Sequence, residues 1–265
     1  MASFVPKPVV LYCAGCFNPI TNKHLRIMEL ARDALHKTGK YKVIKGIFSP
    51  AHDKYNKPGL LPATHRYEMA KLAVKSNPWL CVDSWEMEQS GWTPTQIALC
   101  NLRERIASGS LSVIGQELKT VSEEPQSKRR RQSEENAKLD VLSSETQVRL
   151  LIGGDVLESF SVPELWATDH MESIARDFGM VVIVREGSNP QKYIYESDML
   201  SKYTHNIDIV YDMIGDDLSS TKMRRAIKRN ESVKYLTPDA VIDYIQKHKL
   251  YNSQYQPGNL FPESS

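Results

Sequence analysis

Residues 9–24 read VVLYCAGCFNPITNKH, and the fold follows from how that stretch divides. Val9 to Ala14 is a short apolar run closed by Gly15, the pattern of a strand. From His24 to Lys37 the apolar residues Ile27, Met28, Leu30, Ala31, Ala34 and Leu35 recur at helical spacing. A tight loop joins the two, so the unit is strand, loop, helix. The free backbone N–H groups and dipole of a helix start make such a junction a natural anion site. Gly15 lets the backbone approach a bound group closely, Pro19 stiffens the turn, and His24 can donate a hydrogen bond to a phosphate. A lone histidine near a helix start has a structural reading as well.

Working outward, the unit repeats. Tyr41 to Phe48, ending at Pro50, reads as a second strand, and Ala63 to Val74 as a second helix with Met69, Leu72 and Ala73 inward. Leu80 to Val82 is a short third strand. A third helix is predicted after Thr93, with Pro94 at its first position and Gln96 completing a capping box. Val148 to Ile152 is a fourth strand, followed by Gly153, Gly154 and a helical stretch around Leu157 and Phe160. Asp169 to Phe178 is a helix stopped by Gly179. Met180 to Val184 and Ile207 to Tyr211 are further strands. Helices at Ser220 to Arg229, capped by Ser219, and at Pro238 to His248 complete the pattern.

Strands alternating with helices predict an α/β, Rossmann-like fold. It has a mainly parallel sheet with helices on both faces and ligands at the carboxyl ends of the strands. Between about 108 and 146 the composition turns to Ser, Glu, Gln, Lys and Arg with no sustained period. That segment is expected to be a mobile polar insertion within one domain spanning residues 1–265.

With 41% hydrophobic and 25% charged residues the chain can bury the core of such a domain. Its net charge of +2 argues against a nucleic-acid footprint. No stretch approaches the length of a membrane span, and the opening MASFVPKPVV lacks a secretion-signal pattern. A soluble, intracellular protein is expected. Cys13, Cys16, Cys81 and Cys100 then read as free thiols; Cys13 and Cys16 form a C-x-x-C, but no second pair at similar spacing completes a zinc site. The run Lys128-Arg129-Arg130-Arg131 reads either as a nuclear address or as a solvated charge cluster.

A second motif stands at residues 219–224, SSTKMR. Its helix-start N–H groups, Lys222 and Arg224 could hold a polyphosphate, although serines there also suit a helix cap. Trp92 and Trp166 fall on the ligand side of the predicted sheet, where indole faces would attract a cationic ring. Burial in the core is the other reading of each.

The string GCFNPITNKH resembles the G-x-F-x-P-[HT]-x-x-H signature of the nucleotidyltransferase superfamily, counting one variable position between Pro19 and Thr21, and SSTKMR resembles its second signature, S-S-T-x-x-R. Thr21 in place of histidine is a departure shared by the eukaryotic nicotinamide-mononucleotide adenylyltransferases. The strings LLIGGDVLESF (150–160) and VPELW (162–166) are similar to that branch. The resemblance runs from about Val9 to Tyr251, excluding the insertion. Departures from the branch are Cys16 where serine is more frequent, Pro94 where an acidic residue is frequent, and Asp216 where asparagine is frequent.

The resemblance implies a Rossmann-like nucleotidyltransferase that moves AMP from ATP to nicotinamide mononucleotide, and to nicotinic acid mononucleotide, yielding NAD or deamido-NAD and pyrophosphate. It implies ATP phosphate contacts from Gly15, Cys16, Phe17, His24, Ser219, Ser220, Thr221, Lys222, Met223 and Arg224, of which His24, Lys222 and Arg224 are catalytic. The nicotinamide pocket would be Trp92, Thr95, Leu165 and Trp166, with Lys57 near the mononucleotide phosphate. Gly153 and Asp155 would hold the ribose and adenosine side, and Arg185 and Asp216 would complete the dinucleotide site. Lys57 also reads as a solvated loop charge, Asp155 as a helix cap and Arg185 as a surface ion-pair partner. No carboxylate cluster suggests a metal cage, so Mg²⁺ is expected to arrive through ATP. A homo-oligomer is expected, without nucleic acid or membrane. The nucleus is the expected location, with the cytoplasm as the alternative. A related enzyme with another acceptor, such as pantetheine phosphate, and a chaperone-like role stay open.

Overall fold

The computed structural model describes residues 5–55, 57–112, 119–120, 145–184, 188–215 and 217–252. Strand β1, Lys7–Gly15, runs through the loop at 16–21 into helix α1, Asn22–Lys37, whose Ile27, Met28, Ala31 and Leu35 are buried along one face. The unit repeats as β2 (Tyr41–Pro50), α2 (Ala63–Val74) and β3 (Leu80–Val82). Two helices follow, α3 (Trp85–Glu88) and α4 (Thr95–Ala107). Two-residue strands β4 (Leu111–Ser112) and β5 (Lys119–Thr120) pair antiparallel. Beyond them come β6 (Gln147–Gly153), α5 (Gly154–Glu158) and α6 (Thr168–Ser173). The remaining elements are β7 (Met180–Val184), α7 (Pro190–Glu196), β8 (Ile207–Tyr211), α8 (Ser220–Lys228) and α9 (Asp239–Lys247).

Six strands form one parallel sheet in the order β3-β2-β1-β6-β7-β8. Chain order therefore reverses between β1 and β6, and a reversal of this kind opens a crevice at the carboxyl ends of the two strands. Tyr12 pairs with Leu150, so Gly15 and Gly153 end adjacent strands at the same height.

Helices cover both faces, and the strands alternate between two cores. Val9, Leu11 and Cys13 face the core shared with α1, α2, α8 and α9, while Val10 and Tyr12 face the one shared with α4 and α6. In β7, Val181 and Ile183 join the first core, Met180 and Val182 the second. Burying each such side chain contributes on the order of 2 kcal/mol. A slip of one residue would exchange every partner, so packing fixes the register.

Three local expectations change. The Thr93–Gln96 capping box does not form: Pro94 occupies the N-cap position, and Gln96 Nε2 donates to Ser173 Oγ on α6 at 3.3 Å and to Cys100 Sγ at 3.2 Å. Tertiary partners win over the local one. The helix expected from Asp169 to Phe178 is α6 followed by a wider π-helical turn at Ile174–Phe178. Gly179 ends it with φ of 78°, and a Cβ there would lie 2.5 Å from Asn206 Oδ1, so only glycine fits. Helix α7 has no counterpart in the sequence reading. Its signal is Asn189, which accepts from Lys192 N at 3.1 Å, with Pro190 beginning the helix.

The four cysteines are free thiols, with Cys13 and Cys81 buried. No helix among the described residues is long and apolar enough to cross a membrane. The basic run at 128–131, most of the insertion at 108–146, Arg185 and Asp216 lie outside the described residues.

Candidate active site

The loop after β1 is organised by its own side chains. Phe17 is buried, has φ of 44°, and sets its ring edge-on to both His24 and Phe48, each at 5.3 Å between centroids. His24 Nδ1 accepts from the backbone N–H of Thr21 at 3.0 Å, and the Thr21 hydroxyl lies 2.8 Å from the same nitrogen. Because a backbone amide donates to Nδ1, the imidazole is neutral there and its proton is on Nε2. Lys23, next in the chain, is buried and pairs with Asp212 at the end of β8 at 2.5 Å.

The second junction docks directly on the first. Ser219 caps α8, its Oγ accepting from Lys222 N at 3.2 Å. Ser220 Oγ donates to Pro19 O at 2.7 Å, and Arg224 Nη1 donates to Asn18 O at 2.8 Å. Arg224 Nη2 reaches Thr221 Oγ1 at 3.3 Å, and Lys222 Nζ is paired with Asp217. Met223 corrects an expectation: its side chain is buried in the first core and its N–H donates to Ser219 O, so it secures the helix start and offers no group to a phosphate.

Two residues that the sequence reading did not single out hold the neighbouring loop. Arg66 on α2 is fully buried, and its guanidinium donates to Leu61 O at 2.7 Å, Cys16 O at 3.0 Å, Ala51 O at 2.6 Å and Asp53 Oδ1 at 2.9 Å. The same Asp53 oxygen accepts the first amide of α2, Ala63 N, at 2.6 Å. Asn18, also buried, donates from Nδ2 to Gly59 O at 2.8 Å. Between these anchors runs the exposed turn that carries Lys57, closed by Leu60 N donating to Lys57 O at 3.1 Å. A charged residue on the inward face of α2, among Ala63, Met69, Ala70 and Ala73, was the available sign of Arg66. Cys16 is half-buried in this cationic neighbourhood. Burial pushes its thiol up, while Lys57, Arg66 and Arg224 pull the other way.

On the other side of the crevice, Gly153 ends β6 and forms the N-cap of α5. The Asp155 carboxylate folds back over it, so that a Cβ on Gly153 would sit 2.4 Å from Asp155 Oδ1. Asp155 itself is exposed. Trp92 is 49% exposed and packs at a tilt against Tyr55, 6.3 Å between centroids, while Lys54 Nζ ties the same loop by donating to Ser90 O at 2.7 Å. Thr95 begins α4. Trp166 is half-buried, stacked at a tilt on Phe160 at 4.8 Å with Nε1 donating to Ser159 Oγ at 3.0 Å, and Leu165 beside it is 56% exposed. Thus the indoles at 92 and 166 are not both simple core residues. Among the described residues no group of three His, Cys, Asp or Glu side chains is placed to hold a metal ion.

A parallel sheet whose switch-point crevice is bordered by two docked loop-to-helix junctions defines an α/β protein of the class that binds anionic ligands such as nucleotides at the carboxyl ends of its strands. Known proteins narrow the class. A family model described as cytidylyltransferase-like matches residues 12–226. Nicotinamide/nicotinic acid mononucleotide adenylyltransferase 1 of Bos taurus is 45% identical over 259 residues, covering 95% of this chain and 92% of that protein. The nicotinamide-nucleotide adenylyltransferase of Drosophila melanogaster is 38% identical over 255 residues, covering 94% and 62%. A solved structure of the Plasmodium falciparum nicotinic acid mononucleotide adenylyltransferase complexed with NaAD shares the fold, with a TM-score of 0.59 at 17% identity, covering 94% of this chain and 98% of that one. The chain belongs to the nicotinamide/nicotinic acid mononucleotide adenylyltransferases, within the cytidylyltransferase-like family.

Proposed function

We propose that the protein transfers the AMP part of ATP to nicotinamide mononucleotide, and to nicotinic acid mononucleotide, forming NAD or deamido-NAD and releasing pyrophosphate. One observation carries the reading: Ser220 and Arg224 of the second signature bond directly to Pro19 and Asn18 of the first. The two junctions are therefore neighbours in the fold, which supports a reading in which His24, Lys222 and Arg224 share a single triphosphate. The names of the Bos taurus and Drosophila melanogaster relatives support the activity.

The chemistry is a direct in-line displacement. A phosphate oxygen of the mononucleotide attacks the α-phosphorus of ATP, the bond from that phosphorus to the bridging oxygen breaks, and pyrophosphate leaves with the electron pair. The nucleophile is already an anion, so no base is required. His24 Nε2–H, Lys222 and Arg224 meet the charge that grows on the leaving group. Lys222, paired with Asp217, exchanges that carboxylate for a phosphate. Lys57 meets the mononucleotide phosphate, and Trp92, Thr95, Leu165 and Trp166 enclose the pyridine ring. Gly153 and Asp155 take the ribose and adenosine side; Arg185 and Asp216, expected from the sequence to line the dinucleotide site, lie outside the described residues. Mg²⁺, if bound, would be held mainly by phosphate oxygens and water and would supply neutralisation of the triphosphate charge. Both aspects are tested by mixing purified protein, ATP and each pyridine mononucleotide with Mg²⁺ or with chelator, and identifying products. NAD and pyrophosphate are expected only with the cation; no dinucleotide from either mononucleotide overturns the reading.

The same reading takes residues 1–265 as one nucleotidyltransferase domain that assembles as a homo-oligomer and enters the nucleus through Lys128-Arg129-Arg130-Arg131. The basic composition of that run supports the address. Replacing its four residues by alanine and imaging the tagged chain tests it, with nuclear loss expected; light scattering of the purified protein tests the assembly.

A further inference from the structure

We propose that Tyr251 is a positioning residue for adenylyl transfer, acting through Asn18 at the meeting point of three site loops. The inference rests on the adenylyltransferase reading above. Tyr251 follows α9 and packs in the first core, where its hydroxyl donates to Asn18 Oδ1 at 2.7 Å, across 233 residues of sequence. The Gly59 carbonyl and the Leu61 N–H settle which way the Asn18 amide faces, and so make the phenol the donor to Oδ1. Nδ2 donates to Gly59 O at 2.8 Å, and Leu61 N approaches Oδ1 at 3.4 Å. A flipped amide would set its NH₂ against the Leu61 N–H and its oxygen against the Gly59 carbonyl.

Asn18 is thus gripped from every side that matters to the site. Its side chain holds Gly59 and Leu61, flanking the turn that carries Lys57, and its backbone carbonyl receives Arg224 from the second signature. Without the phenol, the partner left to Oδ1 among the described residues is the Leu61 amide, at the outer limit of a hydrogen bond. Burial pushes the Tyr251 phenol well above its ordinary range, so it stays a donor. The local backbone shows what this placement demands. Tyr251 has φ of 59° and Lys249 φ of 49°, left-handed conformations that bulky residues adopt only where tertiary contacts impose them.

The experiment is steady-state kinetics on the full chain, comparing wild type, Tyr251→Phe, Asn18→Ala, the double variant and Tyr244→Phe. Tyr244 lies on α9 and its hydroxyl is 3.0 Å from His65 Nδ1, so its loss spares Asn18. Assays run well below every thermal midpoint, with rates normalised to folded protein. Tyr251→Phe should lower kcat about tenfold, because small misplacements at a reacting centre cost rate. KM for ATP and for the mononucleotide should stay within about twofold. Tyr244→Phe should match wild type, and Tyr251→Phe should cost nothing further in the Asn18→Ala background. An active wild type whose Tyr251→Phe variant keeps its kcat, or whose two losses simply multiply, overturns this inference alone. A wild type that forms no dinucleotide overturns the functional reading and the inference with it.

Discussion

Arg224 Nη1 donates to the backbone carbonyl of Asn18 at 2.8 Å, joining two loop-to-helix junctions 206 residues apart. A second guanidinium nitrogen reaches Thr221 Oγ1 at 3.3 Å. The side chain therefore acts as a planar fork with two fixed partners, in addition to carrying charge. A lysine has the charge and no fork. Arg224→Lys should lower kcat by about 10²-fold, on the scale of losing one preorganised charge donor. Initial rates of dinucleotide formation check it; a variant within twofold of wild type by that assay would show that charge alone suffices.

His24 offers a second test, because its tautomer is set by Thr21. With Nδ1 accepting from Thr21 N at 3.0 Å, the donor is Nε2–H. His24→Ala removes that donor and should reduce kcat by about 10²- to 10³-fold. It also removes a side chain that braces the start of α1, at a cost of about 1 kcal/mol of stability. The variant should therefore remain folded by circular dichroism while losing most of its turnover. Near-normal NAD formation in a folded His24→Ala sample would remove this residue from the mechanism.

The acceptor side separates from the ATP side through Trp166. Its indole is fixed by Phe160 at 4.8 Å and Ser159 at 3.0 Å, and it leaves a face partly exposed. A cationic pyridinium on that face gains about 0.5 to 2 kcal/mol. Trp166→Ala should raise KM for nicotinamide mononucleotide about two- to thirtyfold by that energy, with KM for ATP much less affected. Equal changes in both constants would argue against stacking. The zwitterionic nicotinic acid form provides a further comparison.

These tests fall on residues whose legibility in the sequence differed for physical reasons. The strands and main helices were readable because burial on a pleated or helical surface imposes a period, as in Val9–Ala14 and Ile27–Leu35. The two junctions were readable because their strings resemble two family signatures; by residue type alone a structural histidine and a serine cap explain them as well. Asn18, Arg66 and Tyr251 work through hydrogen bonds to partners far along the chain, which leave no period. Arg66 left only the trace of a charge on an inward helical face. Tyr251 left none. Gln96 misled because its local capping geometry competed with Ser173 on α6, a neighbour that only the folded chain supplies.

The buried pair of Tyr12 and Glu86 yields a prediction about stability and pH. Glu86 on α3 is 3% exposed, and its Oε1 accepts from the Tyr12 hydroxyl at 2.5 Å. Burial raises the carboxyl above its ordinary value, and the hydrogen bond from Tyr12 only partly opposes it. A raised carboxyl means that the native state holds this proton more tightly than the unfolded chain. Its contribution is then fully present below the unfolded value of about 4.3 and is lost as pH rises through the higher folded value. Glutamine keeps the Oε1 acceptor for Tyr12 and carries no proton to lose. The stability of Glu86→Gln relative to wild type should therefore rise as pH increases above about 4.3, and level off once the native carboxyl has ionised. Urea unfolding midpoints of both proteins from pH 4 to 8 measure this difference. A constant offset across the series, or a gap that narrows with pH, would mean that Glu86 is not held protonated by its burial.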